Sequence, residues 1–489
     1  MQIFENKISN TTYKKALNSQ KKFIRKFGDD RNTEYHLALA DNNVLTPPFG
    51  CKVIQTNSVS SFTEALPAKP VIIGNIRMGF GHYRISMAMA SAARALGYTP
   101  LWMDLNSFPE TTATKIISNQ NNLYSMGSRL SQQHNIFSKA FNKIVWEPLN
   151  YTGFKKLSYN AGDQITSELM TPLFREIPKD IPFIATHVWP SQAAIHAGMK
   201  NVINAIPDNW PMALHLSQGA VHTVQTYNAY WGYRSLNGFD GKKILNPMSK
   251  DDIVFTGHYI DHELVSNIEK DCEARINRTK NGQPIRFLFT IGGAGAQGEF
   301  FASMINTLLP YVKQNKACLY INCGDYQNVW TMLCNKIPEL KNGSIQTTEH
   351  FDNWEEELAF TNNALSSEVN GIHAFCNKDI FAAVYITNLL MRSSDVLITK
   401  PSELAFYPVP KLFIKRVGGH EMWGAIHSAE LGDGTQECET PEAADSIIKM
   451  IMEDTSLIEV MCQNIIKEKN KGTYDGAYNV IKLGEQGYE

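Results

Sequence analysis

The sequence predicts an α/β protein made of two doubly wound domains, and three observations carry that expectation. From about residue 69 onward, short apolar runs alternate with helical stretches, the pattern of a parallel sheet covered by helices on both faces. The alternating series occurs twice, and at 489 residues the chain is too long for one hydrophobic core. Several of the apolar runs end in glycine-rich or polar turns that open a helix, which is where such sheets receive ligands.

Taken in order, residues 1–65 read as a polar, irregular N-terminal extension with one amphipathic helix over 13–27. There Tyr13, Leu17, Ile24 and Phe27 share a stripe, with Lys14, Lys15, Lys21, Lys22, Arg25 and Lys26 around it. Such a helix either docks by its apolar edge or lies on a membrane surface. The first domain, 66–260, is expected to hold strands at 71–74, 101–104, 183–186 and 202–206, with a helix over 84–96. A second strand series begins near 253–257 and includes 287–290, 319–322, 396–399 and 412–415, giving a second domain over 261–465. Residues 275–284, rich in charge, Asn and Gly, are the best linker candidate. Residues 466–489 form a C-terminal tail free to pack back on the N-terminal domain. The stretch 341–379 has no assigned place.

Composition excludes several classes. Lys+Arg 46 against Asp+Glu 48 leaves a net charge of -2, so no basic field recruits nucleic acid. Hydrophobic content of 43% and charged content of 19% describe a globular protein. No apolar run reaches the roughly 18–20 residues of a membrane helix, and the opening Met1-Gln2-Ile3-Phe4-Glu5-Asn6 lacks the order of a signal peptide. The eight cysteines are scattered without zinc or redox spacing, so reduced thiols, a cytoplasmic location and no metal are expected.

Four strand ends carry candidate chemistry. Gly79-Phe80-Gly81-His82-Tyr83-Arg84 follows a strand and opens a helix. Its free N–H groups favour an anionic oxygen, and the positive helix end helps keep the His82 imidazole neutral and able to accept a proton. Thr186-His187-Val188-Trp189-Pro190 and Pro207-Asp208-Asn209 follow two further strands, so His187 and Asp208 are expected on the same rim. In the second half, Gly292-Gly293-Ala294-Gly295 lies between a strand and a helix, a pyrophosphate cradle that needs no metal. It lacks the Lys-Ser/Thr ending of an ATPase P-loop. No acid closes a strand about 20 residues onward, so a dinucleotide fingerprint fails as well. Further on, Lys400-Pro401-Ser402-Glu403 ends another strand, and His420-Glu421-Met422-Trp423-Gly424-Ala425 opens a helix that closes at Gly432.

These turns resemble, in order and spacing, those of GT-B glycosyltransferases. The families meant are the monogalactosyldiacylglycerol synthases and the peptidoglycan lipid-intermediate N-acetylglucosaminyltransferases. Both carry a glycine run followed by His, matched here by Gly79, Gly81 and His82. The galactolipid enzymes have an aspartate two residues earlier, and here Arg77 stands in its place. His187 and Asp208 also have counterparts in the galactolipid enzymes. Glu403 lies seven residues before Pro410, the interval that separates the ribose-binding Glu from a Pro in both families. The Gly-rich insert of their turn is missing, and Pro401-Ser402 replaces it. The segment from His420 to Ala425 matches Gln-Gln-Tyr-Trp-Asn-Ala of the peptidoglycan enzymes, so the two donor-sugar readers become His420 and Glu421.

The resemblance implies two Rossmann-like domains facing a central cleft and an inverting transfer of a sugar from a nucleoside diphosphate donor, a UDP-sugar, to an acceptor hydroxyl, with a lipid among the candidate acceptors. It implies His82, Asp208 and His187 as catalytic candidates. The donor would meet Gly292, Gly293, Ala294, Gly295, Lys400, Ser402, Glu403, His420 and Glu421. Arg77, Gly79, Gly81 and Arg84 would form an acceptor-side loop, with the nucleotide sugar as substrate and no cofactor. Peripheral membrane contact is a further expectation, through the basic helix and the apolar stretch 124–149. The alternatives are a UDP-sugar 2-epimerase-like enzyme and a catalytically inactive nucleotide-sugar-binding protein.

Overall fold

The apolar runs expected as strands pair in two separate sheets. The structure, a computed structural model, describes residues 1–131, 141–291 and 297–485. Its first unit comprises residues 1–127, 143–262 and 475–489, and its second comprises 128–142 and 263–474. Both are doubly wound α/β units, the fold class the sequence predicts.

A two-stranded ribbon of β1 (Gln2–Ile3) and β2 (Asn6–Lys7) opens the chain. The first sheet contains β3 (His36–Asp41), β4 (Lys52–Asn57), β5 (Pro70–Asn75) and β6 (Thr99–Asp104), then β7 (Phe183–Ala185), β8 (Val202–Ala205), β9 (Val221–Val224) and β10 (Ile253–Phe255). Its order is β10-β9-β8-β7-β5-β6-β4-β3, parallel except for the β3–β4 edge pair. Central strands such as β5 and β7 are buried on both faces, which is why they read as unbroken apolar runs.

The second sheet contains β11 (Ile285–Thr290), β12 (Ala317–Asn322), β13 (Thr347–Phe351), β14 (Gly371–Cys376), β15 (Val396–Thr399), β16 (Lys411–Ile414) and β17 (Gly434–Cys438). Its order is β13-β14-β12-β11-β15-β16-β17, and every pairing is parallel.

Several expectations need correction. Residues 1–65 are more than an extension, because β3 and β4 belong to the first sheet. Their half-buried edge positions hide the apolar signal. The 253–257 run belongs to the first sheet, where β10 pairs with β9. Residues 275–284 are no linker: the helix Ile268–Lys280 runs through them. Arg275 is buried and donates to the carbonyls of Ser394 and Met391, both at 2.7 Å. Arg278 makes two bonds to Asp395, at 3.0 and 2.7 Å. Charge at this place marks satisfied burial instead of solvent. The unplaced stretch 341–379 supplies β13, β14 and the helix Trp354–Ala364 between them.

The chain returns to the first unit at Asp475. Ala477, Val480 and Ile481 of the helix Gly476–Glu485 join Ile85, Ala88 and Met89 of the helix Gly81–Ala95 in one apolar cluster. A Cβ on Gly476 would stand 2.1 Å from the Gly257 carbonyl oxygen, so glycine permits this docking. The N-terminal helix, Asn10–Phe27, docks as well. Ser9 caps it, Phe23, Ile24 and Phe27 pack on the core, and Gln20 donates to the Ile165 carbonyl at 2.6 Å. Its lysines and Arg25 are exposed, and so is Tyr13.

Candidate functional site

Strand order places a switch point in each sheet. In the first, β5 is flanked by β6 on one side and β7 on the other, so a crevice opens beyond the carboxyl ends of β5 and β7. The glycine turn and the His187 turn are the two segments that leave those ends. Gly79 has φ 73 and nothing within 4 Å of where a Cβ would stand, a left-handed turn beside open space. His82 sits in the first turn of the helix Gly81–Ala95. Its Nδ1 donates to the Thr186 carbonyl at 2.6 Å, since a carbonyl can only accept. In the neutral ring the lone pair is therefore on Nε2.

His187 is arranged the other way. It caps the helix Val188–His196, and its Nδ1 accepts from the Trp189 N–H at 3.1 Å. Its neutral ring thus carries the proton on Nε2. Burial, reinforced by His82 and His215, pushes its pKa well below the ordinary histidine range. The His82 and His187 rings meet edge to face at 4.9 Å. Two adjacent imidazoles hold opposite tautomers, one suited to accept a proton and one to donate a hydrogen bond.

Asp208 joins this set through a residue the sequence reading did not single out. His215 Nε2 lies 3.3 Å from Asp208 Oδ2, and His215 Nδ1 is 2.7 Å from the Tyr233 hydroxyl. Around the glycine turn, the Arg77 N–H donates to Asn106 Oδ1 at 2.7 Å. Arg84 is buried within its helix. Asp104, at the end of β6, is pushed up to about 6 by burial, against the Tyr83 hydroxyl that donates to it. The neighbouring Asn75 side chain is fully buried, and neither its oxygen nor its nitrogen finds a partner.

The second sheet switches between β11 and β15, with β12 on the far side of β11. Gly292, Gly293, Ala294 and Gly295 leave β11 and lie outside the described residues. From β15 come Lys400, Ser402 and Glu403, with Glu403 half-buried at the start of a short 3-10 turn, Glu403–Phe406. The helix Met422–Leu431 packs directly on this turn. A Cβ on Gly424 would stand 2.8 Å from the Pro401 carbonyl oxygen and 3.1 Å from the Ala405 methyl. Gly424 thereby brings His420 and Glu421 up to the Glu403 turn.

Glu421 is buried and pairs with the Lys400 ammonium through Oε1. Its Oε2 accepts from the Val417 and Gly418 N–H groups at 2.7 and 3.3 Å. Burial raises the carboxyl, but Lys400, His420 and these bonds together hold it below the usual range. Its acceptor sites serve the protein, so Glu421 orients Lys400 and the 417–418 turn. His420 differs: its Nδ1 is buried and has no partner within the protein. The fully buried Lys411 pairs with Asp433 at 2.9 Å and donates to the Tyr407 and Val409 carbonyls.

Comparison with known proteins adds the following. Residues 2–235 match the family model described as a domain of unknown function (DUF6937), and residues 248–485 match a second domain of unknown function (DUF6938). No curated protein matches the chain in sequence. Among solved structures, the chain is similar to a UDP-GlcNAc 2-epimerase from Neisseria meningitidis bound to UDP-GlcNAc. The identity there is 12% and the TM-score 0.44, over 85% of this chain and 100% of that one. It is also similar to the glycosyltransferase VinC in complex with dTDP, at 12% identity and a TM-score of 0.41 over 85% and 100%. A glycosyltransferase from Rickettsia africae matches at 13% identity and a TM-score of 0.40 over 86% and 99%. Likeness at this level carries nothing about chemistry, which rests on the residues themselves.

Proposed function

We propose that the protein is an inverting glycosyltransferase that moves a sugar from a nucleoside diphosphate donor, a UDP-sugar, to an acceptor hydroxyl. The observation that carries this reading is the placement of two different polar sets at the two switch points. After β5 and β7, His82 and His187 hold opposite tautomers, an arrangement that can handle a proton, and after β15 the Lys400–Glu421 pair lies with Glu403 and His420, groups a nucleotide sugar could meet.

In this reading the acceptor hydroxyl gives its proton to His82 Nε2 as its oxygen attacks the anomeric carbon. The bond from that carbon to the diphosphate oxygen breaks, and the diphosphate leaves with the electron pair. The His187 Nε2–H steadies the acceptor, and Asp208, tied to His215, is the alternative base. Arg77, Gly79, Gly81 and Arg84 shape the acceptor-side turn. On the donor side, amides of Gly292, Gly293, Ala294 and Gly295 would face the departing diphosphate, the largest charge to develop. Lys400 and Ser402 would assist them, Glu403 would accept from both ribose hydroxyls, and His420 would meet the sugar.

The test is incubation with a panel of UDP, GDP, CDP and dTDP sugars. Slow release of the nucleoside diphosphate supports a transferase. An altered sugar would make the protein an epimerase, and binding without turnover a sensor.

A further inference from the structure

The first unit contains a cavity of about 680 Å³, within the size range of small-molecule sites. Its walls come from the N-terminal helix, the helix Leu157–Ser167, the turn after β7 and neighbouring segments, and they mix polar groups with six aromatic side chains: Phe23, Tyr124, Trp146, Phe154, Tyr159 and Trp189. Two polar groups, Asp163 and His187, lie together at Trp189. The Trp189 indole donates to Asp163 Oδ1 at 3.0 Å, and its ring is 5.2 Å from that of His187. Asp163 is 8% exposed, and its Oδ2 is buried without a partner. An orphaned buried carboxyl oxygen is destabilising unless a ligand meets it.

We propose that this cavity is the acceptor subsite and that Asp163 is its specificity-determining residue, taking an apolar molecule whose hydroxyl donates to Asp163 Oδ2. That the occupant is the acceptor rests on the transferase reading; that it is an apolar alcohol does not. Burial pushes the Asp163 carboxyl up to about 7, so both of its states occur near neutral pH. A hydroxyl suits either state because it both donates and accepts. An ammonium suits only the ionised form, and a carboxylate only the protonated one. Lys15, Tyr124, Tyr159 and His187 are the other titratable groups lining the cavity.

Calorimetry of the full chain with 1-decanol, decylamine and decanoate tests this. Decanol should bind more tightly than either of the others, and at least about 10-fold more tightly than decanoate. Gly162 lines the cavity inside a helix, and a Cβ there would meet nothing within 4 Å. Gly162→Leu should therefore fold, with a thermal transition no lower than wild type, and abolish decanol binding. Asp163→Asn keeps an acceptor for Trp189 and turns a donor toward the ligand, so its preference for decanol over decanoate should shrink by about 10-fold. Decanol binding that survives Gly162→Leu, or decylamine binding more tightly than decanol, would overturn the proposal. If decanol binds as expected while no nucleotide sugar turns over, the alcohol site stands and the transferase reading falls. If nucleotide sugars turn over and decanol does not bind, the reverse holds.

Discussion

The two switch-point crevices are built on opposite physical principles. In the first unit burial outweighs pairing at several polar groups. His187 is driven toward neutrality, and Asp104 and Asp163 are pushed up to about 6 and 7, so charge is suppressed. In the second unit the groups around the Glu403 turn are paired: Lys400 helps hold Glu421 below the usual carboxyl range, and Lys411, which burial pushes down, faces Asp433 at 2.9 Å. A neutral imidazole suits proton transfer. Fixed charges and backbone amides suit an anionic ligand. Under the transferase proposal the contrast gives the two halves different work, and it can be broken experimentally.

The largest effect is expected from His82→Ala, which should lower turnover by about 10²–10⁴-fold and leave UDP affinity near wild type, read by steady-state kinetics and calorimetry. If turnover survives and Asp208→Asn abolishes it, the base is Asp208. Next comes Lys400→Met, which leaves the Glu421 carboxylate buried without its partner. A loss of about 3–5 kcal/mol in denaturant unfolding is expected, and Glu421→Gln in the same chain should recover most of it. No recovery would mean that the pair does not act as a unit.

Glu403→Ala should weaken UDP about 10- to 100-fold, the worth of hydrogen bonds to a charged group. Unchanged affinity in a folded variant removes Glu403 from the ribose site. A smaller effect concerns pH. The folded-state pKa of Asp163 is raised to about 7, so its contribution to stability is complete below the unfolded value near 4 and is lost as pH rises through about 7. Asp163→Asn should therefore gain on the order of 1 kcal/mol relative to wild type between pH 6 and pH 7, read from thermal unfolding. His222, lowered to about 4 by burial, acts in the opposite sense and destabilises the fold as pH falls below about 6.5.

The smallest effect would be membrane contact. The exposed basic residues from Lys14 to Lys26 could add about 1 kcal/mol each at an anionic bilayer. Leu123, Met126, Ile144 and Val145 are exposed apolar side chains in the same unit. Flotation with anionic vesicles should then fall steeply with salt. Protein that stays unbound at low salt ends that idea. Phe137 and Lys139, part of the same apolar stretch in the sequence, lie outside the described residues.

What the sequence determined by itself is the doubly wound class, the central strands and the turns that leave them. Those features are local: a strand buried on both faces is an apolar run, and a strand-to-helix turn needs its glycine or cap within a few residues. The positions of His82, His187, Glu403 and His420 in those turns were legible for that reason. Edge strands such as β3 and β13 escaped because their burial comes from one face only. The helix at Arg275 and Arg278 was mistaken for a linker because its charges are satisfied by residues more than a hundred positions away. Asp163 and His215 carry no local signature. One becomes a candidate when Trp189 and an apolar cavity surround it, the other when Asp208 and Tyr233 come within hydrogen-bond reach. Only the tertiary structure decided those, because burial and pairing across distant segments, and not residue type, set what a carboxyl or an imidazole can do.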